Sequence, residues 1–166
     1  LLPMAHQHIS HAVTAGSPQP EPFSVSLPIP PILNPVRSDE TTDYYEIVIK
    51  RNLVEILPGL ITEIWGYNGI TPGPTIKQHQ GRRSVVRFIN DVGALTSTHL
   101  HGMASLPQYD GYAEDLSRPG FYKDYIYPNN RAATFWYHDH AIDETAHHVY
   151  MGIAGMNISQ VRTNKL

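Results

Sequence analysis

From Asp43 onward the chain alternates. In DYYEIVIKR, Asp43–Arg51, the side chains of Tyr45, Ile47 and Ile49 are interleaved with Glu46, Val48 and Lys50. A period of two is that of a strand with one buried face. The same reading predicts strands at Ile61–Trp65, Pro74–Gln78, Arg83–Asp91, Ser97–His101, Tyr122–Tyr127, Ala133–His138 and Val149–Ile158. Asn68-Gly69, Pro72-Gly73-Pro74, Gly81 and Asp91-Val92-Gly93 punctuate them as turns. No segment keeps a 3.6-residue period over three turns. The nearest is DETAHHVY, Asp143–Tyr150, which predicts one helical turn in a loop. Many short strands between turn residues imply an all-β sandwich or barrel.

The flanks differ. Residues 1–40 include SPQPEPFSVSLPIPPILNPVRSDE, too rich in proline for a helix or central strand, and predict an extended arm lying across a surface. Residues 41–160 read as a single domain, and 161–166 as a polar tail. At 166 residues the chain is long enough for one real core and short for two. A hydrophobic fraction of 41% with 16% charged residues places it among globular chains. A net charge of −3 provides no basic stripe, which argues against nucleic acid. No apolar run reaches bilayer length, so no membrane partner is expected. The start, LLPMAHQHIS, lacks the basic end and apolar run of a signal peptide. That leaves a cytoplasmic chain or one whose leader has been removed.

The chain has ten histidines and no cysteine, so any metal site here must use imidazole and oxygen donors. Two His-x-His pairs stand out: His99/His101 in STHLHG and His138/His140 in WYHDHA. On a strand, residues i and i+2 face the same way, roughly 6–7 Å apart. If the two strands are neighbours, four imidazoles converge. Neutral imidazole suits copper, zinc, iron and nickel, with copper(II) highest in the affinity order. Zinc hydrolases also use such pairs with an added carboxylate, for which Asp110, Asp139 and Asp143 are available. His147 and His148 are adjacent and read as surface or loop residues; His79 ends a strand in solvent, and His6, His8 and His11 sit in the arm. Asn157-Ile158-Ser159 is a sequon, glycosylatable if the chain is secreted.

STHLHG, then YDGYAED, then PGFYKDYIYPNNRAATFWYHDHA together resemble the first domain of multicopper oxidases of the laccase and bilirubin-oxidase type. GYNGITPGPTI (Gly66–Ile76), VVRFIN (Val85–Asn90) and the arm FSVSLPIPPILNP (Phe23–Pro35) extend the resemblance over about residues 20–160. It implies a cupredoxin-like Greek-key β-sandwich and a secreted protein. It implies that His99 ligates a type 2 copper, that His101 and His138 ligate one type 3 copper, and that His140 ligates the other. Asp110 resembles the acidic residue that helps deliver protons to reduced oxygen. Its plainer reading is a turn residue before Gly111. The implied reaction is one-electron oxidation of a small organic donor coupled to reduction of O2 to water.

Members of that family take half of the cluster's histidines, and the cysteine of their blue copper, from a further domain. This chain has no cysteine and no histidine after His148. It is therefore expected to need the remaining cupredoxin domains, as a second polypeptide or the rest of a longer chain. The alternatives are a copper-binding cupredoxin domain without turnover and, more distantly, a zinc hydrolase.

Overall fold

The computed structural model describes residues 20–161. His6, His8, His11, most of the polar tail and the first half of the proline-rich arm lie outside them. Ten strands follow in order: β1 (Ile32–Leu33), β2 (Arg37–Ser38), β3 (Thr42–Leu57), β4 (Leu60–Tyr67), β5 (Gly73–His79), β6 (Arg83–Asp91), β7 (Thr98–His101), β8 (Tyr122–Tyr127), β9 (Ala133–Asp139) and β10 (Ala154–Gln160). A single helix, α1 (Thr145–Met151), separates β9 from β10, and a 3-10 turn covers Pro107–Tyr109.

The strands form two sheets, ordered β1-β5-β10-β9-β7 and β2-β3-β6-β8, with β4 paired to β3. Chain neighbours are often not sheet neighbours. β3 pairs with β6 in parallel, and β10 runs parallel to β5 and antiparallel to β9. Such crossings between two sheets are those of the Greek-key cupredoxin sandwich the resemblance implied. The alternating pattern fixes which side of each strand is buried. Tyr45, Ile47, Ile49, Val86, Phe88, Tyr125 and Tyr127 face inward from one sheet, and Ile76, Leu100, Phe135 and Tyr137 from the other. Tyr67 closes the gap between them, with its ring centroid 4.6 Å from Tyr137 and 5.4 Å from Phe88. Pairs at this spacing contribute about 0.5–1.5 kcal/mol beyond their burial.

Three sequence readings need correction. The strand expected at Val149–Ile158 is instead the end of α1 followed by β10. Val149 and Tyr150 favour strands in isolation, but the helix carries them on to Gly152, whose φ of +119° ends it. A Cβ there would stand 2.9 Å from Thr71 Oγ1 and 3.0 Å from the Trp65 carbonyl, so the turn into β10 requires glycine. His148 is not a surface residue; it is 2% exposed. Asn157 of the sequon is fully buried on β10, with Nδ2 3.5 Å from Gln78 Oε1, and offers no glycan attachment point in this fold. Other boundaries agree closely: β6 spans Arg83–Asp91 as expected, and His79 ends β5 exposed to solvent. β3 and β4 run beyond their predicted ends into a long hairpin whose Leu53, Ile56 and Ile61 are exposed.

Candidate metal centre

β7 and β9 are antiparallel neighbours, and their register places His99 opposite His138 and His101 opposite Trp136. Alternation then sorts the faces. Leu100, Tyr137 and Asp139 point into the sandwich, whereas His99, His101, Trp136 and His138 share the outer face of the sheet. His140 follows β9 directly, anchored by its own N–H donating to the Ser97 carbonyl at 2.6 Å. Ring centroids of His99 lie 5.5 Å from His101, 5.4 Å from His138 and 5.2 Å from His140; His138 and His140 are 6.0 Å apart. The four imidazoles predicted to converge do so.

The backbone selects which nitrogens are free. His138 Nδ1–H donates to the Asp139 carbonyl at 2.8 Å, and His99 Nδ1–H donates to the Asp110 carbonyl at 2.5 Å. A carbonyl only accepts, so each ring carries its proton on Nδ1 and leaves Nε2 as a lone-pair donor. His138 Nε2 then stands 3.4 Å from His101 Nδ1. Two nitrogens on one tetrahedral ion at bond lengths of about 2.0–2.1 Å are separated by about 3.4 Å. The ligand atoms of His99, His101 and His138 all lie within 4.8 Å of one another. His140 Nδ1 is buried and has no hydrogen-bond partner among the described residues. It has no part in holding the fold, and a buried polar atom left so costs about 1–3 kcal/mol.

Electrostatics agree with ligation. Burial pushes the His138 imidazole below its usual value, the proximity of His99, His101 and His140 pushes it the same way, and the Asp139 carbonyl opposes them. A neutral ring is what a metal ligand must be. Trp136 covers one side, with its ring 4.0 Å from His138 and stacked 5.3 Å from His101. An all-imidazole donor set of this kind fits copper.

The carboxylates fall differently. Asp110 follows the 3-10 turn at Pro107–Tyr109, and its carbonyl, rather than its carboxylate, orients His99; Oδ1 is 3.6 Å from His99 Nδ1. Gly111 makes this approach possible. Its φ is +75°, and a Cβ would lie 2.2 Å from the Thr98 carbonyl oxygen and 2.7 Å from His99 Cα. Asp143 is exposed in the turn before α1. Asp139, offered above as a zinc ligand, faces the opposite side of the sheet from the histidines and is fully buried. Its Oδ1 accepts from Ser97 N–H at 2.9 Å, and its Oδ2 from Ala141 N–H at 3.0 Å and His148 Nδ1–H at 2.7 Å. Sequence reasoning missed this anchor, although alternation contained the signal: a residue between two same-face histidines must face away from them.

Comparison with known proteins agrees. The sequence profile of the multicopper oxidase family matches residues 49–163. Bilirubin oxidase from Albifimbria verrucaria is 45% identical over 158 residues, which cover 90% of this chain and 27% of that protein. A laccase from Bacillus subtilis is 34% identical over 172 residues, covering 83% and 33% respectively. The crystal structure of a multi-copper oxidase from Pediococcus acidilactici superimposes with a TM-score of 0.81 at 30% identity, over 88% of this chain and 31% of that one. This chain thus spans a third or less of the length of these relatives. With half-built histidine geometry, sandwich topology and sequence in agreement, the chain belongs to the multicopper oxidase family.

Proposed function

We propose that this chain is the first domain of a secreted laccase- or bilirubin-oxidase-like multicopper oxidase. In this reading His99 ligates a type 2 copper, His101 and His138 one type 3 copper, and His140 the other. When bound, such a copper cluster supplies the reduction of O2 to water with electrons from a small organic donor. This chain's residues hold and orient. The Asp110 and Asp139 carbonyls fix the tautomers of His99 and His138, and Trp136 limits water access to the His101 and His138 rings. Asp110 Oδ1, part-exposed and 3.6 Å from His99, is placed to hold or pass a proton next to the cage.

The observation that carries the proposal is the position of the four imidazoles on the outer face of the sheet, where His101 is exposed. A cage that ends at a surface can be completed by another domain. The exposed apolar residues Leu53, Ile56 and Ile61 on the β3–β4 hairpin also suit burial against further structure. The partners proposed are the remaining cupredoxin domains, O2 and the donor.

Copper loading with metal analysis, run beside an oxygen electrode, tests this. The chain with its complementary domains should bind copper and consume O2 with a phenol or bilirubin-type donor, and H101A/H138A should lose copper from the four-histidine cage and, with it, O2 consumption. Copper stoichiometry unchanged in H101A/H138A would sink the assignment. Copper bound without O2 consumption in the complete assembly would favour a binding domain without turnover.

A further inference from the structure

A second cluster of ligand-type side chains lies on α1, outside the four-histidine cage. Glu144 precedes the helix, and His147 and His148 follow three and four residues later, a spacing that brings side chains together on one helical face. Glu144 Oε2 is 3.5 Å from His147 Nδ1 and 3.9 Å from His148 Nε2, and the ligand atoms of all three lie within 4.8 Å of one another. Ligands on a tetrahedral ion stand about 3.4 Å apart. Two of the three separations are therefore nearly closed already. The Glu144 and His147 side chains, each 55% exposed, are free to close the third.

His148 separates this cluster from an ordinary helical ion pair. Its ring is 2% exposed, and its Nδ1–H is committed to the buried Asp139 carboxylate. In the neutral ring the proton sits on Nδ1, and Nε2 presents its lone pair on the side of Glu144. At 3.9 Å that contact is too long for a hydrogen bond. A lone pair set beside a carboxylate oxygen is a pairing that a cation resolves. Carboxylate, then imidazole, then open ligand nitrogen is also the order in which proteins orient metal-binding histidines. The Trp65 ring closes the other side, 5.4 Å from His147 and 5.2 Å from His148.

We propose that Glu144, His147 and His148 form a divalent transition-metal site, distinct from the four-histidine cage. Two imidazole nitrogens and one carboxylate oxygen, with water at the open position, suit zinc(II), nickel(II) or copper(II) and not magnesium or calcium. The site shares no ligand with the cage. Asp139 orients His148 from within the core.

The chain's two tryptophans make the test direct, because Trp65 borders this cluster and Trp136 borders the cage. In full-length W136F, Trp65 is the sole indole. Nickel(II), which quenches a nearby indole, should lower its emission saturably. H147A and E144Q in the same background should weaken that titration by at least about tenfold, whereas H11A should leave it unchanged. After dialysis against zinc(II), H147A should retain one zinc fewer per chain than the parent by mass spectrometry of the native protein. His147 is half exposed, so H147A keeps the fold, which circular dichroism checks. Absence of quenching, or quenching and zinc content unchanged in both H147A and E144Q, would overturn the site.

Discussion

The substitution D139N tests whether a buried carboxylate, rather than the histidine pairs themselves, holds the cage together. It changes almost no volume and removes one charge. Asp139 accepts three hydrogen bonds in a fully buried position, from Ser97 N–H at 2.9 Å, Ala141 N–H at 3.0 Å and His148 Nδ1–H at 2.7 Å. An amide can accept through one oxygen only. Turned one way, its NH2 meets the Ser97 N–H. Turned the other, it meets Ala141 N–H and His148, and a tautomer switch relieves only the histidine. At least one buried donor is orphaned in either case, at about 1–3 kcal/mol, and the surviving bonds lose their charged acceptor. The expected loss is about 2–4 kcal/mol, a fall in melting temperature of roughly 5–15 °C for a domain of this size. Calorimetry of the metal-free chain reads it directly. Copper affinity should fall as well, because Ser97 and Ala141 flank His99 and His140. If D139N unfolds within about 0.5 kcal/mol of the parent and binds copper equally well, the anchor argument is wrong.

Three further outcomes are expected. G111A should cost about 2–4 kcal/mol in urea unfolding, combining left-handed strain with a clash against the strand that carries His99. G120A has a similar φ of +82° but open space around it, so it should cost only the conformational part; equal losses would discount the clash. Asp43 is held below its usual carboxylate value of 3.8, chiefly by hydrogen bonds from Arg82. A depressed folded value means that its stabilisation is complete above 3.8 and is lost as pH falls through the folded value. D43N should therefore flatten unfolding free energy between about pH 5 and pH 2, and an unchanged acid slope would refute that role. In an H147A background, which disables the second cluster, copper(II) at a hundred times its dissociation constant for the cage should add about 2.7 kcal/mol of stability, read as a melting shift that H138A abolishes. A shift retained in H138A would place the copper elsewhere.

Much of the fold was legible because burial follows a period of two. Arg83–Asp91 alternates without interruption and is bounded by turn residues, so β6 could be placed to the residue. The paired histidines were legible for the same reason. What alternation cannot give is adjacency. His101 and His138 are 37 residues apart, and only the resemblance to a known family implied that β7 lies against β9. Helix α1 was legible only as one helical turn over Asp143–Tyr150, because seven residues are too few to display a 3.6-residue period, and its Val149 and Tyr150, with their strand preferences, were also drawn into the following strand. His148 was misplaced with it. Its burial depends on Trp65 and Asp139, residues distant in sequence or hidden behind the histidine motif.

The four histidines are not equivalent in how the fold prepares them. His99 and His138 are locked by the fold itself, since each gives its Nδ1 proton to a backbone carbonyl. These are also the pair that faces directly across β7 and β9, so sheet register alone sets the distance between them. His101 and His140 lack such a carbonyl. His101 rests on the Trp136 ring at the exposed end of β7, and His140 is held through its own backbone N–H rather than its ring. The cage therefore has a rigid diagonal and two adjustable arms. Asp139 joins the parts, its carbonyl fixing the His138 ring while its carboxylate fastens the strand entering His99 and the turn leaving His140. That single residue does both because alternation forces its side chain into the core while leaving its carbonyl beside the histidine it follows.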